Sequence, residues 1–499
     1  MADNLSPAAP LSAPPELLAA CPKFRILVLG SPESTKQELF CQVFGTDLGK
    51  KSVGDAFSLG HEIEQELDLH DQNSRLAIHT SFNFVTDDAS HYDRTCDFLR
   101  ARSAPSTDPA DRIHSVWYCV ASEEDRPVAE LEKRFFTSGL PLAAPNVPVI
   151  IVFTKYDEFV NQVRIDWSRD AQQRGLSKLP VAHILRDLSS EKFDQQIGAK
   201  WDRVLSQTVP RVCVSSGDGE DDARSVEELA ERTLAGLRDR SVKYAFAAAQ
   251  RNSALISTQF SANIAADYFE VDTGHARKLP GVDMRYILPN FFAKAVALFN
   301  LHDDPALLDA TATLLPQILN ATFDPSQQPL LAECLTQSST DPRTILANLS
   351  PHERAVLLTQ ALAAPLLFLH RLAATQWPHG DGHAAAHTLT ARAVARVLDE
   401  IRAGAERRAV LQTVEASPLF TTCTLRSAIA DLLVAAVGRG VKGGGAAVAA
   451  TAAAAGRLQT GGSRGYVEDD HAQVPLTFAA ERGPDDVVLP CGLTILPLT

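Results

Sequence analysis

Basic charge is scarce in this chain: 47 lysine and arginine residues face 61 acidic ones, for a formal net charge of -14. That deficit leaves no cationic footprint for a phosphate backbone, so nucleic acid is excluded as an expected partner. Cysteine is sparse as well. Eight thiols are spread from Cys21 to Cys491 with no C-x-x-C pair, which excludes a disulfide-dense scaffold and predicts reduced thiols and an intracellular, cytoplasmic setting. No basic stretch followed by an apolar run opens the sequence, as a secretory signal requires. The longest apolar run, Ala355 to Leu369, is interrupted by Thr359, Gln360 and Pro365. It falls short of the roughly 20 residues a membrane span needs, so no span is expected. No repeat of roughly 20–50 residues is evident, which argues against a solenoid.

What is present is an ordinary folding composition, 45% hydrophobic and 22% charged over 499 residues. That length exceeds one hydrophobic core of usual size, so two domains are expected. Short aliphatic runs alternate with helical patterns in the first half, the mark of a sheet covered by helices. Strands are expected at Phe24 to Leu29, Glu62 to Leu69, Arg75 to Thr80, Ser115 to Val120, Val149 to Phe153 and Arg211 to Val214. Because Glu62 to Leu69 alternates polar and apolar residues while Val149 to Phe153 is apolar throughout, the first suits an edge and the second a buried centre. The expected fold class is α/β, a mixed, mostly parallel six-stranded sheet flanked by helices, followed by a mostly helical domain. The expected divisions are a disordered leader over 1–21, the α/β domain over 22–240, the helical domain over 241–442 and a low-complexity, disordered tail over 443–499.

The first strand ends at Gly30, and the residues that follow fill the frame G-x-x-x-x-G-K-[ST], with Gly30 and Lys36 in place. In such a loop, backbone N–H groups and the next helix N-terminus cradle phosphates, the lysine neutralises them and the last hydroxyl holds magnesium. Ser34, Thr35, Lys36 and Gln37 are therefore candidate phosphate contacts. Thr35 stands where the second glycine belongs and Gln37 where the metal-binding hydroxyl belongs, so magnesium is doubtful. The same residues also describe a plain strand-to-helix turn with an N-cap. A near-copy at Gly45 to Ser52 follows a helix rather than a strand, which reads as a solvated basic loop.

The apolar strand Val149 to Phe153 runs into Thr154-Lys155-Tyr156-Asp157, the pattern [NT]-K-x-D. A carboxylate there can accept hydrogen bonds from both N1–H and the exocyclic amine of guanine, whereas adenine offers no such donor pair. Alone, the tetrapeptide also describes a solvated turn. Its place after a strand-loop-helix unit and one further strand-helix unit, Ser115 to Ser138, favours base reading.

Residues 24–216 resemble the G-domain proteins common in fungi, distant relatives of Era-like GTPases. The likeness is carried by R-I-L-V-L-G, L-G-H-E-I, R-L-A-I-H-T-S-F-N-F, I-H-S-V-W-Y-C-V and V-P-V-I-I-V-F-T-K-Y-D-E-F-V. The resemblance implies a P-loop G-domain binding GTP or GDP at the strand carboxyl ends, with Gly30 and Lys36 toward phosphate and Thr154, Lys155 and Asp157 toward guanine. It also implies a base-contacting loop at Ser215 and Ser216. The family's D-S-x-G-F switch appears here as Thr80-Ser81-Phe82-Asn83-Phe84, without its Asp or its Gly. Phosphoryl transfer depends on metal and loop donors, so these losses predict guanine-nucleotide binding with impaired or absent hydrolysis, a weak GTPase at best. The alternative is a nucleotide-free scaffold that binds an unknown protein partner through its helical half.

Elsewhere, His383 and His387, with His370 and His379 nearby, read as surface or helix-end histidines. The acidic run Asp218 to Asp222 reads as a solvated loop. No G-x-S-x-G elbow occurs, so a serine hydrolase is unsupported.

Overall fold

Five apolar runs become strands: β1 (Phe24–Gly30), β2 (Leu76–Thr80), β3 (Ser115–Ala121), β4 (Val149–Thr154) and β5 (Arg211–Cys213). All pair in parallel in the order β2-β1-β3-β4-β5. β3 and β4 are buried along their whole length, as unbroken aliphatic and aromatic runs require of central parallel strands. A computed structural model describes residues 14–30, 36–46, 62–67, 69, 73–81, 89–122, 126–173, 182–205, 209–215, 220–251, 254–266, 284–301, 311–323, 351–376, 390–404, 406–415, 433–435 and 437. These residues belong to one compact unit.

The sheet has five described strands rather than six, and they form no mixed pair. The segment expected as an edge strand, Glu62 to Leu69, turns instead, with the Gln65 amide donating to the Glu62 carbonyl at 2.9 Å. A single ladder-like bond remains, from the Leu67 amide to the Ile78 carbonyl at 3.0 Å. The Ile63 carbonyl, which a ladder would use, faces the His79 ring at 3.0 Å. Glu66 is drawn to Lys23 and Arg25. Side-chain partners thus take the segment's polar groups away from strand pairing.

Alternation along the strands sorts two cores. Phe24, Ile26 and Val28 of β1, Trp117 and Cys119 of β3 and Ile150 and Val152 of β4 face one side. There α2 (Lys36–Phe44) packs Leu39, Phe40, Val43 and Phe44, with Phe44 stacked on Trp117 at 5.5 Å between ring centroids. Leu27, Leu29, Tyr118, Ile151 and Phe153 face the other side. That side is covered by α3 (Ala89–Ser103), α4 (Glu130–Arg134), α5 (Leu140–Ala143), α6 (Tyr156–Gln173), α7 (Ala182–Phe193) and α8 (Ala199–Asp202). Since α2 lies on one face and the crossovers of the other direction lie on the opposite face, the winding reverses between β1 and β3. In open parallel sheets ligands bind at such a reversal, outside the strand carboxyl ends.

Beyond β5, α9 (Glu220–Gly236) returns to the α2 face. Asp239 then caps α10 (Arg240–Ala249), accepting from the Ser241 and Val242 amides at 2.7 and 3.4 Å. The remaining described helices are α11 (Ala254–Ala266), α12 (Met284–Phe299), α13 (Thr311–Thr322), α14 (Pro351–Gln376), α15 (Ala391–Ala403) and α16 (Glu406–Glu415). Their apolar residues join the same core as α2 and β1, with Phe246 edge-on to Phe24 at 4.9 Å. Asn73, wholly buried, donates to the Ala249 carbonyl at 2.8 Å and the Phe44 carbonyl at 3.4 Å, and accepts from Asn300 at 3.3 Å. One side chain thereby ties the start of β2 to the ends of α2, α10 and α12.

One further expectation changes, and two segments take a definite place. Residues 14–21, expected above to be disordered, include α1 (Pro14–Ala20), because Leu18 and Cys21 are buried in the first core. The apolar run interrupted in sequence by Thr359, Gln360 and Pro365 lies within α14. Thr359 and Gln360 are buried, and Gln360 donates to the Leu411 carbonyl at 3.3 Å. Within α14, Val356–Ala373 is long and apolar enough to cross a membrane, and 83% of that window is buried by the surrounding helices. The near-copy loop begins at Gly45, which ends α2 with φ +60°, its Cα facing Arg251 so closely that a Cβ would stand 3.0 Å from that side chain. That is a helix C-terminus, for which glycine is suited. Residues 47–52 lie outside the described residues.

Candidate functional site

Because every pair in the sheet is parallel, all five carboxyl ends share one edge. Two sequence-predicted segments meet there. β1 ends at Gly30, and α2 begins at Lys36. β4 ends at Thr154, and α6 begins at Tyr156, so Asp157 stands in its first turn. Only β3 separates β1 from β4, about 10 Å across. Gly30 pairs with Cys119 and Cys119 with Val152, so Thr154 extends two residues, about 7 Å, beyond the level of Gly30.

Gly30 is held by its neighbour. It has φ +123°, and a Cβ there would lie 1.9 Å from the Cys119 carbonyl oxygen. No side chain fits, and the positive φ independently favours glycine. The glycine therefore lets the chain leave β1 toward α2 while still against β3.

The second junction is clasped by β5. The Val214 amide donates to the Phe153 carbonyl at 2.7 Å, and the Tyr156 amide donates to the Val214 carbonyl at 3.1 Å. Lys155 takes a left-handed conformation, φ +56°, unusual for a residue with a Cβ. Its carbonyl accepts the first helical bonds of α6, from Glu158 and Phe159 at 3.1 and 3.3 Å. Tyr156 stacks on Phe159 at 5.9 Å and meets Phe193 edge-on at 5.5 Å; burial pushes its phenol well up. Thr154 is buried and donates weakly to the Val120 carbonyl at 3.4 Å. The Lys155 ammonium lies 3.9 Å from Glu158. Asp157 is half-buried, at a helix start where a carboxylate is also favoured by the helix dipole.

Ser215, buried, follows Val214, and its amide donates to the Ser225 hydroxyl oxygen of α9 at 3.3 Å. The structure thus brings Gly30, the start of α2, Thr154, Lys155, Asp157 and Ser215 to one edge. Ser34, Thr35 and Ser216, as well as Asn83, His383 and His387, lie outside the described residues, and the side chains of Lys36 and Gln37 are not described. His370 meets the Thr258 hydroxyl at 3.0 Å. Among the described residues no three His, Cys, Asp or Glu side chains gather as a metal site.

Thr80, ending β2, is fully buried, and its hydroxyl oxygen has no hydrogen-bond partner. A buried hydroxyl left unbonded costs about 1–3 kcal/mol. In sequence, Thr80 is one polar residue at the end of an apolar run; an orphan atom is visible only once the strand is folded. Its neighbour His79 faces the other layer, 5.1 Å from Phe98, and burial pushes its pKa down to about 4.

Compared with protein-family models and with curated proteins, the chain matches none.

Proposed function

We propose that the chain binds a guanine nucleotide, GTP or GDP, at the carboxyl edge of its sheet, with weak or absent hydrolysis. In this reading the β1–α2 junction, through Gly30, Ser34, Thr35, Lys36 and Gln37, faces phosphate, and Thr154, Lys155 and Asp157 face the base. Ser215 and Ser216 close the base side. The observation that carries the reading is the convergence of the β1–α2 and β4–α6 junctions on one edge, two strands apart, at the point where the winding reverses. A helix N-terminus suits phosphate, and a carboxylate suits the two donors of guanine.

Weak hydrolysis follows from chemistry at Thr80. A neutral hydroxyl there cannot hold a hydrated magnesium ion as a carboxylate does. Phosphoryl transfer relies on that charge, while base recognition does not.

Thermal melts with guanine and adenine nucleotides test the reading. A ligand held only by the folded state stabilises it by about 2.7 kcal/mol at a hundredfold excess over Kd. GDP and GTP should raise Tm and ADP and ATP should not. A flat response to all four would discard the nucleotide reading and favour a nucleotide-free scaffold.

A further inference from the structure

We infer that the Thr80 hydroxyl is a phosphate-binding donor, so that the site takes a guanosine diphosphate without a divalent cation. This deepens the nucleotide reading above and rests on it. Three observations carry it. Thr80 is fully buried with an unpartnered hydroxyl. It sits beside β1, in register with Val28 two residues before Gly30, and the Ser81 amide still bonds the Val28 carbonyl at 3.3 Å. Leu76 and Ile78 of the same strand lie in the core that α2 covers, so alternation directs the Thr80 side chain to the face on which α2 begins.

The orphan hydroxyl and the nine-residue helix α2 therefore lie on one face of one sheet edge. A threonine hydroxyl donates one hydrogen bond and carries no charge. Toward a phosphate oxygen it acts directly, whereas a carboxylate at this position would repel phosphate unless a cation stood between them. The adjacent His79 adds no charge to this face, since its ring packs on Phe98 in the opposite layer. Without a cation, the helix N-terminus must offset the phosphate charge. Each further phosphate makes that harder, so the diphosphate is held more tightly than the triphosphate, which still binds.

Titration of the full chain with a fluorescent GDP analogue, in magnesium and in EDTA, tests this alongside guanosine lacking phosphate. The wild-type affinity for GDP should be unchanged by EDTA within about twofold. Thr80→Val should weaken GDP by about tenfold and leave guanosine unaffected, and Thr80→Ser should retain wild-type affinity. A tenfold loss on EDTA, or wild-type GDP affinity in Thr80→Val, overturns the inference while leaving guanine binding intact. Should Thr80→Val fail to fold, the EDTA comparison on the wild type decides alone. Absence of both GDP and guanosine binding in the wild type overturns the nucleotide reading itself, and this inference with it.

Discussion

The Tyr156 amide donates to the Val214 carbonyl at 3.1 Å, joining the start of α6 to the end of β5 across 58 positions of sequence, from 156 to 214. Together with the Val214–Phe153 bond, it seats the Thr154–Asp157 turn against the Ser215 loop. The proposed base recognition requires those two segments side by side, and two backbone bonds hold them there.

Gly30→Ala should disrupt the first junction. The new methyl group would stand 1.9 Å from the Cys119 carbonyl and require φ +123° of an alanine. Strain of this kind costs on the order of 3 kcal/mol. Urea denaturation should show that loss, and a wild-type midpoint would mean that β1 and β3 separate easily at this end.

Arg126→Ala should cost about 3–5 kcal/mol, because it strands a buried charge. Arg126 grips both oxygens of the fully buried Glu132 at 2.7 and 2.8 Å, with the Ala129 amide and Tyr118 hydroxyl completing the set. The double replacement Arg126→Met with Glu132→Met should cost far less than the single one. Equal losses in the two variants would show that the pair itself carries the stability.

Stability should fall with pH between about 6.5 and 4. His114 and His79 are buried, and burial pushes both down to about 4 from an ordinary 6.5. His114 accepts the Arg25 amide at its Nδ1, so its Nε2–H donates to the Pro109 carbonyl; charging the ring would break the first bond. Above about 6.5 both rings are neutral in either state and stability is full. Below it the unfolded chain takes up protons that the folded chain refuses, at a cost on the order of 2–3 kcal/mol per histidine by pH 4. Glu66 acts lower: against the pull of burial, hydrogen bonds from Lys23 and Arg25 hold its carboxyl below its usual value, so its contribution is lost only below about 4.5. Denaturation midpoints at pH 7 and 5 should differ, and His114→Gln should flatten the difference.

Sheet and helices should unfold together. The first core runs without interruption from β1 and α2 through α10 to α14, and Asn73 bonds three of the elements involved. Calorimetry should give one cooperative transition, lowered in Asn73→Ala. Two resolved transitions would contradict the shared core.

Much of this sheet was legible in the sequence, because its strands are short aliphatic runs that nothing else in the chain imitates. Phe24–Gly30, Ser115–Ala121 and Val149–Thr154 each lie within one residue of expectation. Glu62 to Leu69 was not, since its alternation suits a strand and an irregular edge equally; His79 and Glu66 decide between them through contacts distant in sequence. The place of α14 in the core was not legible, because the partner that Gln360 finds at the Leu411 carbonyl is distant in sequence. Gly30 and Asp157 were readable as motif positions. The clasp through Val214 and the orphaned Thr80 hydroxyl were not, because hydrogen bonds made or left unmade between distant strands have no signature in a single segment.

The most direct measurement is calorimetric titration of GDP and ADP into the wild type and Asp157→Ala. The account predicts saturable GDP binding, no ADP binding and a loss of at least about thirtyfold in GDP affinity in the variant. Equal GDP affinity in wild type and Asp157→Ala, or no saturable binding of GDP to the wild type, would contradict it.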